Sequence, residues 1–134
     1  MKFPSCFHRV SIKGLISDEQ NRFLLMQEAN GFWDLPGGGM DHGESPAVCL
    51  RREIKEEMGL EIVSMDKAPS FFFASTNPKG QPIVNAVYKI SLTNLNFAAS
   101  EECMAIRFFS VPDIKKLHQQ MYPNILDFIR YFEV

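Results

Sequence analysis

The chain is 134 residues long, 46% hydrophobic and 22% charged, with a net charge of -2 and a pI near 5.9. That is the length and composition of one soluble globular domain, residues 1–134, with enough apolar material for a core. The acidic balance supplies no overall attraction to nucleic acid or to an anionic membrane surface, and argues against both as partners.

Cys6, Cys49 and Cys103 are odd in number, widely spaced and free of any CxxC pairing. They suit reduced thiols in a cytoplasmic protein better than a disulfide framework. The opening MKFPSCFHRV has no apolar stretch of secretory-signal type, and no apolar run approaches the roughly 20 residues of a membrane span.

In chain order, Val10 to Ile16 reads as a strand, and SDEQNR as a turn-rich connection to a second apolar run, FLLMQ. WDLPGGGMDHGES follows, and its proline and three consecutive glycines predict a loop rather than a regular element. A helix is expected from Ser45, a good N-cap followed by Pro46 at the first helical position, to Gly59, a natural C′ residue. At 100° per residue Ala47, Leu50, Ile54 and Met58 share an apolar arc, while Glu53, Glu56 and Glu57 share the neighbouring one with Cys49. EIVSM and SFFFAS suggest strands. In PIVNAVYKISL, Val84, Ala86, Tyr88, Ile90 and Leu92 alternate onto one face as in a half-buried strand. MAIRFFSV predicts another strand, PDIKKLHQQM a short helix opened by Pro112, and YPNILDFIRYF a terminal helix with Ile125, Phe128, Ile129 and Phe132 at helical spacing. The order of elements predicts a mixed β-sheet flanked by helices.

The glutamates are misplaced as structure. Glu53 and Glu57 are like charges four residues apart on a helix, costing roughly 0.2–0.5 kcal/mol, and near the helix C-terminus each carboxylate costs about 0.3–1 kcal/mol more. A divalent cation turns that repulsion into attraction, since Mg²⁺ takes a few carboxylates together with substrate phosphates. Gly37, Gly38 and Gly39, just upstream, let backbone groups approach a ligand without a Cβ in the way. The loop is not of the Walker A kind, because no GK[ST] follows.

From Gly38 the chain runs through Glu44 to Arg52-Glu53-Ile54-Lys55-Glu56-Glu57-Met58-Gly59-Leu60. This stretch resembles the complete Nudix box, the signature of hydrolases acting on nucleoside diphosphates linked to another moiety. Seven fixed residues at ordinary usage match by chance on the order of once in 10⁸ starts. The preceding WDLPGG is similar to the segment before the box in many members.

The resemblance implies an α/β (α+β) fold, an α/β/α sandwich with a mixed sheet between helices. It implies that Glu53, Glu56 and Glu57 ligate Mg²⁺, with Mn²⁺ able to substitute, and that a backbone carbonyl of Gly38 or Gly37 assists. Arg52 and Glu44 would hold helix and loop in place by charge-assisted hydrogen bonds. The reaction implied is hydrolysis of a phosphoanhydride bond, with a (deoxy)nucleoside triphosphate as the leading small-molecule substrate and ADP-ribose or a nucleotide sugar as the alternative. Glu53 is one candidate for the base, and Glu102, in the Glu101-Glu102 pair before CMAIRFFSV, is another candidate base or ligand.

Trp33, Phe73 and Asn85 are candidates for substrate contact, since aromatics stack bases and an amide reads their edges. Pro78 lies at the far edge of the window where ADP-ribose-specific members carry a proline. The three histidines, His8, His42 and His118, share no metal-ligand spacing. A nucleotide-sensing module without turnover and an RNA-end pyrophosphohydrolase are the competing readings. A homodimer is compatible with the sequence.

Overall fold

The computed structural model describes residues 4–133. Its elements run β1 (Arg9–Leu15), β2 (Phe23–Gln27), β3 (Trp33–Asp34), β4 (Gly37–Gly39), α1 (Pro46–Met58), β5 (Ile62–Met65), β6 (Phe71–Thr76), β7 (Pro82–Leu92), β8 (Ala105–Phe109), α2 (Val111–Lys116) and α3 (Pro123–Ile129). Short 3₁₀ turns follow α2 and α3, at His118–Gln120 and Arg130–Phe132.

The strands form the mixed sheet expected and a second, smaller antiparallel one. The larger is ordered β4-β1-β7, with β5 and β6 both on the far side of β7, and the smaller is β3-β2-β8. Among the described strand pairs only β1 and β7 run parallel; the other strand pairs are antiparallel. β7 takes two partners on one edge because it is eleven residues long: β6 pairs with its first half and β5 with its last residues.

Alternation along β1 and β7 divides the core in two. Ile12, Ala86, Tyr88 and Ile90 face the side covered by Cys49, Leu50, Ile54 and Met58 of α1. Leu15 and Val87 face the other side, with Phe73, Ile114 of α2, and Ile125, Phe128 and Ile129 of α3. The larger sheet therefore lies between helices, the α/β/α arrangement expected. Among the described residues no helix is long and apolar enough to cross a membrane.

The glycine run is where expectation and structure part. Gly37–Gly39 is a strand, paired antiparallel with β1 in the register Ser11↔Gly39, Ile12↔Gly38, Lys13↔Gly37. Gly37 has φ +123°, and a Cβ there would collide with the Ile12 carbonyl. The three residues that read as a loop signal are instead a strand, and at Gly37 only glycine can run this close to the β1 backbone.

Candidate active site

α1 begins and ends where its caps predict. Ser45 accepts the Val48 N–H at 3.2 Å, and Gly59, at φ +69°, donates its own N–H to the Lys55 carbonyl. The caps set its length, and the packing of Cys49, Leu50, Ile54 and Met58 on the sheet sets its rotation against β4. Glu57 points inward, only 5% exposed, and its Oε1 accepts the Gly37 N–H at 2.9 Å. Glu53 lies over Gly38, where an added Cβ would stand 2.8 Å from the Glu53 carboxylate. Glu56, one residue before Glu57, is exposed.

Arg52 organises the outer carboxylates. Its Nε and Nη2 donate to the two oxygens of Glu44 at 2.7 and 2.8 Å, a two-pronged charge-assisted pair. Nη1 donates to Glu53 at 3.0 Å and to Glu56 at 3.2 Å, and Nη2 reaches the Gly39 carbonyl at 3.3 Å. The hydrogen bonds from Arg52 and from the Asp41 N–H hold the Glu44 carboxyl down at about 2. Burial pushes the Glu53 carboxyl upward against the pull of Arg52. It pushes Glu57 further, well above the usual carboxylate range, with the Lys13 charge and the Gly37 N–H opposing.

As these side chains stand, no group of three or more His, Cys, Asp or Glu among the described residues is arranged to hold a metal ion. Arg52 draws Glu53 and Glu56 outward while Glu57 turns in to Gly37. The donor chemistry nevertheless suits a hard divalent cation: three carboxylates from one helix, beside a glycine strand whose carbonyls no Cβ screens. Buried Cys49 is wedged between these groups, its Sγ 3.7 Å from the carbonyls of Gly38 and Gly39, and burial pushes its thiol up to about 11.

On the opposite face of the larger sheet lies a cleft of about 450 Å³ that includes Arg9, Ser11, Lys13, Asp34, Tyr122 and Asn124 in its lining. Lys13 is 5% exposed and donates to Asp34 Oδ2 at 3.0 Å and to the carbonyls of Leu35 and Gly37 at 3.2 and 3.1 Å. Burial works to lower its pKa; the charges of Asp34, Glu57 and Glu53 outweigh that and raise it. Asn124, at the start of α3, donates to the other Asp34 oxygen at 2.9 Å. A second cleft of about 820 Å³, bordered by Met40, Asp41, Gly43 and Glu44, shares Arg9 and Gln81 with the first.

The residues singled out from sequence fall in different places. Gly37, Gly38, Gly39, Arg52, Glu53, Glu56 and Glu57 come together. Trp33 stands in the core, 7% exposed, its ring 4.8 Å from that of Phe109. Phe73 is 8% exposed and stacked on Phe128. Neither lines the cleft around Lys13. Asn85 is fully buried on the face that carries the cleft, as the β1 partner Ser11 shows. Glu102 is exposed on a loop that Ser100 ties to α1, its Oγ donating to the Glu57 carbonyl at 3.1 Å.

Sequence reasoning missed Arg9, Lys13, Asp34 and Asn124. A signal existed for the first two: Arg9, Ser11 and Lys13 are polar at every second position of a strand otherwise apolar.

The NUDIX domain family matches residues 7–132. Over 116 residues the chain is 28% identical to a MutT-like protein of Streptomyces ambofaciens, covering 86% of this chain and 72% of that one. Over 129 residues it is 27% identical to an ADP-ribose pyrophosphatase of Methanocaldococcus jannaschii, covering 91% and 73%. In fold it is similar to a NUDIX hydrolase from Nitrosomonas europaea, with a TM-score of 0.69 over 86% of this chain and 80% of that one, at 16% identity. With a glycine strand, a carboxylate helix and an arginine pinning one to the other, matched over nearly its whole length, the chain belongs to the NUDIX family of hydrolases.

Proposed function

We propose that this protein hydrolyses a phosphoanhydride bond in a nucleoside diphosphate derivative with the help of Mg²⁺. The observation that carries the reading is the placement of Glu53 and Glu57, one turn apart on α1 and both against Gly37–Gly38. Glu53, Glu56 and Glu57, with a carbonyl of Gly38, would hold the metal, and Mn²⁺ suits the same oxygen donors. When bound, such an ion neutralises phosphate charge and makes water a better nucleophile.

The chain's own residues supply the rest. Glu57 is held in place by the Gly37 N–H. Arg52 keeps Glu53 and Glu56 on the same side of the helix and ties that side to Glu44. Glu53 and Glu102 are the candidate acceptors of the water's proton; Glu102 comes from the loop that Ser100 docks on α1. Arg9 and Lys79, which both line the smaller cleft, are suited to phosphate oxygens.

The leading substrate is a (deoxy)nucleoside triphosphate, cleaved to monophosphate and pyrophosphate. ADP-ribose is the second reading, favoured by the similarity to a protein named an ADP-ribose pyrophosphatase along 91% of this chain. The test is turnover of nucleoside triphosphates, ADP-ribose and nucleotide sugars with Mg²⁺, by wild type and by Glu57→Gln. A substrate cleaved by the first and spared by the second supports the reading. Binding without turnover across the panel overturns it in favour of a sensing module.

A further inference from the structure

Three buried side-chain polar atoms among the described residues have no hydrogen-bond partner: Asn85 Nδ2, Asn85 Oδ1 and Ser75 Oγ. All three belong to the same face of the larger sheet. Asn85 pairs with Ser11 on one side and with Phe73 on the other, while Ser75 pairs with Ile83, two residues before Asn85. Ser11 and Ile83 both line the cleft around Lys13. The orphaned carboxamide therefore lies immediately under the cleft floor.

An unpartnered amide in a protein interior is an anomaly that asks for a cause. Its donor and its acceptor have both lost water and gained nothing, a loss an apolar side chain of similar size would avoid. The nearby charged groups are committed elsewhere: Asp34 accepts from Asn124 and Lys13, and Lys13 donates also to the carbonyls of Leu35 and Gly37. A planar group carrying an adjacent donor and acceptor would satisfy both atoms of the amide at once.

We propose that Asn85 is the specificity-determining residue of this cleft, its carboxamide reading an adenine edge. Asparagine pairs in a bidentate manner with the N6 donor and N7 acceptor of adenine, whereas the same edge of guanine shows two acceptors. The cleft offers the base a polar floor in Ser11 and a wall in Tyr122, and the amide is reached by a side-chain adjustment of the kind common on binding. The inference rests on the nucleotide reading above and narrows it to adenine nucleotides.

The test is calorimetric titration of AMP, GMP, CMP and UMP, without metal, into wild type, Asn85→Leu and Asn85→Ala, with melting temperatures for each protein. Wild type is expected to bind AMP more tightly than GMP by roughly 5- to 150-fold. Both variants are expected to bring that ratio to within about threefold, as one bidentate pair is lost, and Asn85→Leu to melt no lower than wild type. A ratio unchanged in the variants, a wild type that prefers GMP, or one that binds none of the four, overturns the proposal. Monophosphate binding needs no turnover, so the reaction stands or falls separately. Activity lost in Glu57→Gln with the AMP preference unaltered in the Asn85 variants sinks this inference alone. An inactive wild type that still prefers AMP sinks the hydrolase reading alone.

Discussion

Two cations grip the two ends of the glycine strand, and they do so on different terms. Arg52 holds the Gly39 carbonyl from a side chain 29% exposed and shares itself among Glu44, Glu53, Glu56 and, at 3.4 Å, Asp41. Lys13 holds the Gly37 carbonyl from a side chain 6% exposed and serves one carboxylate, Asp34. With water at hand, Arg52 can release Glu53 and Glu56 and keep Glu44, so those carboxylates remain available to a ligand. Lys13 has no such freedom, because letting go of Asp34 strands its own charge in the interior. The first cation adjusts the site; the second is part of the frame that positions it.

Breaking the frame is expected to produce the largest effect. Lys13→Met leaves the half-buried Asp34 with only its Asn124 and Leu35 hydrogen bonds and should cost up to about 3–5 kcal/mol of stability. Urea denaturation measures it, and Lys13→Met combined with Asp34→Asn should recover part of the loss. A change under about 1 kcal/mol would make the pair a bystander.

The adjacent glycines sharpen the contrast. Gly37→Ala forces a side chain onto φ +123° and into the Ile12 carbonyl, costing roughly 1–3 kcal/mol for the backbone conformation alone, before the collision. Gly38→Ala meets only the end of the Glu53 side chain, which can swing aside. Thermal melts should therefore show Gly37→Ala strongly destabilised and Gly38→Ala close to wild type, with turnover lost in Gly38→Ala because Glu53 has moved.

Arg52→Gln tests the adjustable cation. It should lower kcat/KM by roughly 10- to 100-fold, as loss of an orienting residue does, while the protein stays folded by circular dichroism. Equal losses in Arg52→Gln and Arg52→Lys would show that the two-pronged pairing with Glu44 matters and not the charge alone.

The smallest effect is expected far from the site, at the start of α2. Ser110 and Asp113 form a reciprocal cap there, Oγ accepting the Asp113 N–H and the Asp113 carboxylate accepting the Ser110 N–H. Ser110→Ala should cost about 1 kcal/mol and leave turnover unchanged. These hydrogen bonds lower the Asp113 pKa. Its contribution is thus present above the unfolded value near 4 and fades as pH falls through the folded one. Asp113→Ala should lower the melting temperature at pH 7, and by progressively less as pH falls below about 4.

The features readable along the chain alone are local. Ser45, Pro46 and Gly59 set the limits of α1 because caps act within one turn, and the spacing of its apolar and acidic residues set its faces because helical geometry is regular. The Nudix box was legible for the same reason, being contiguous. Tertiary structure decided the rest. Nothing local distinguishes Glu56 from Glu57, yet packing against β4 leaves one exposed and buries the other against Gly37. Gly37–Gly39 reads as a loop until β1, some 26 residues away, supplies its register. Asp34 and Asn124 meet across 90 residues, and Asn85 is an ordinary strand residue until the sheet closes over it and leaves its amide alone. Burial and hydrogen-bond partnership belong to pairs of distant elements, so they become fixed only when the elements pack.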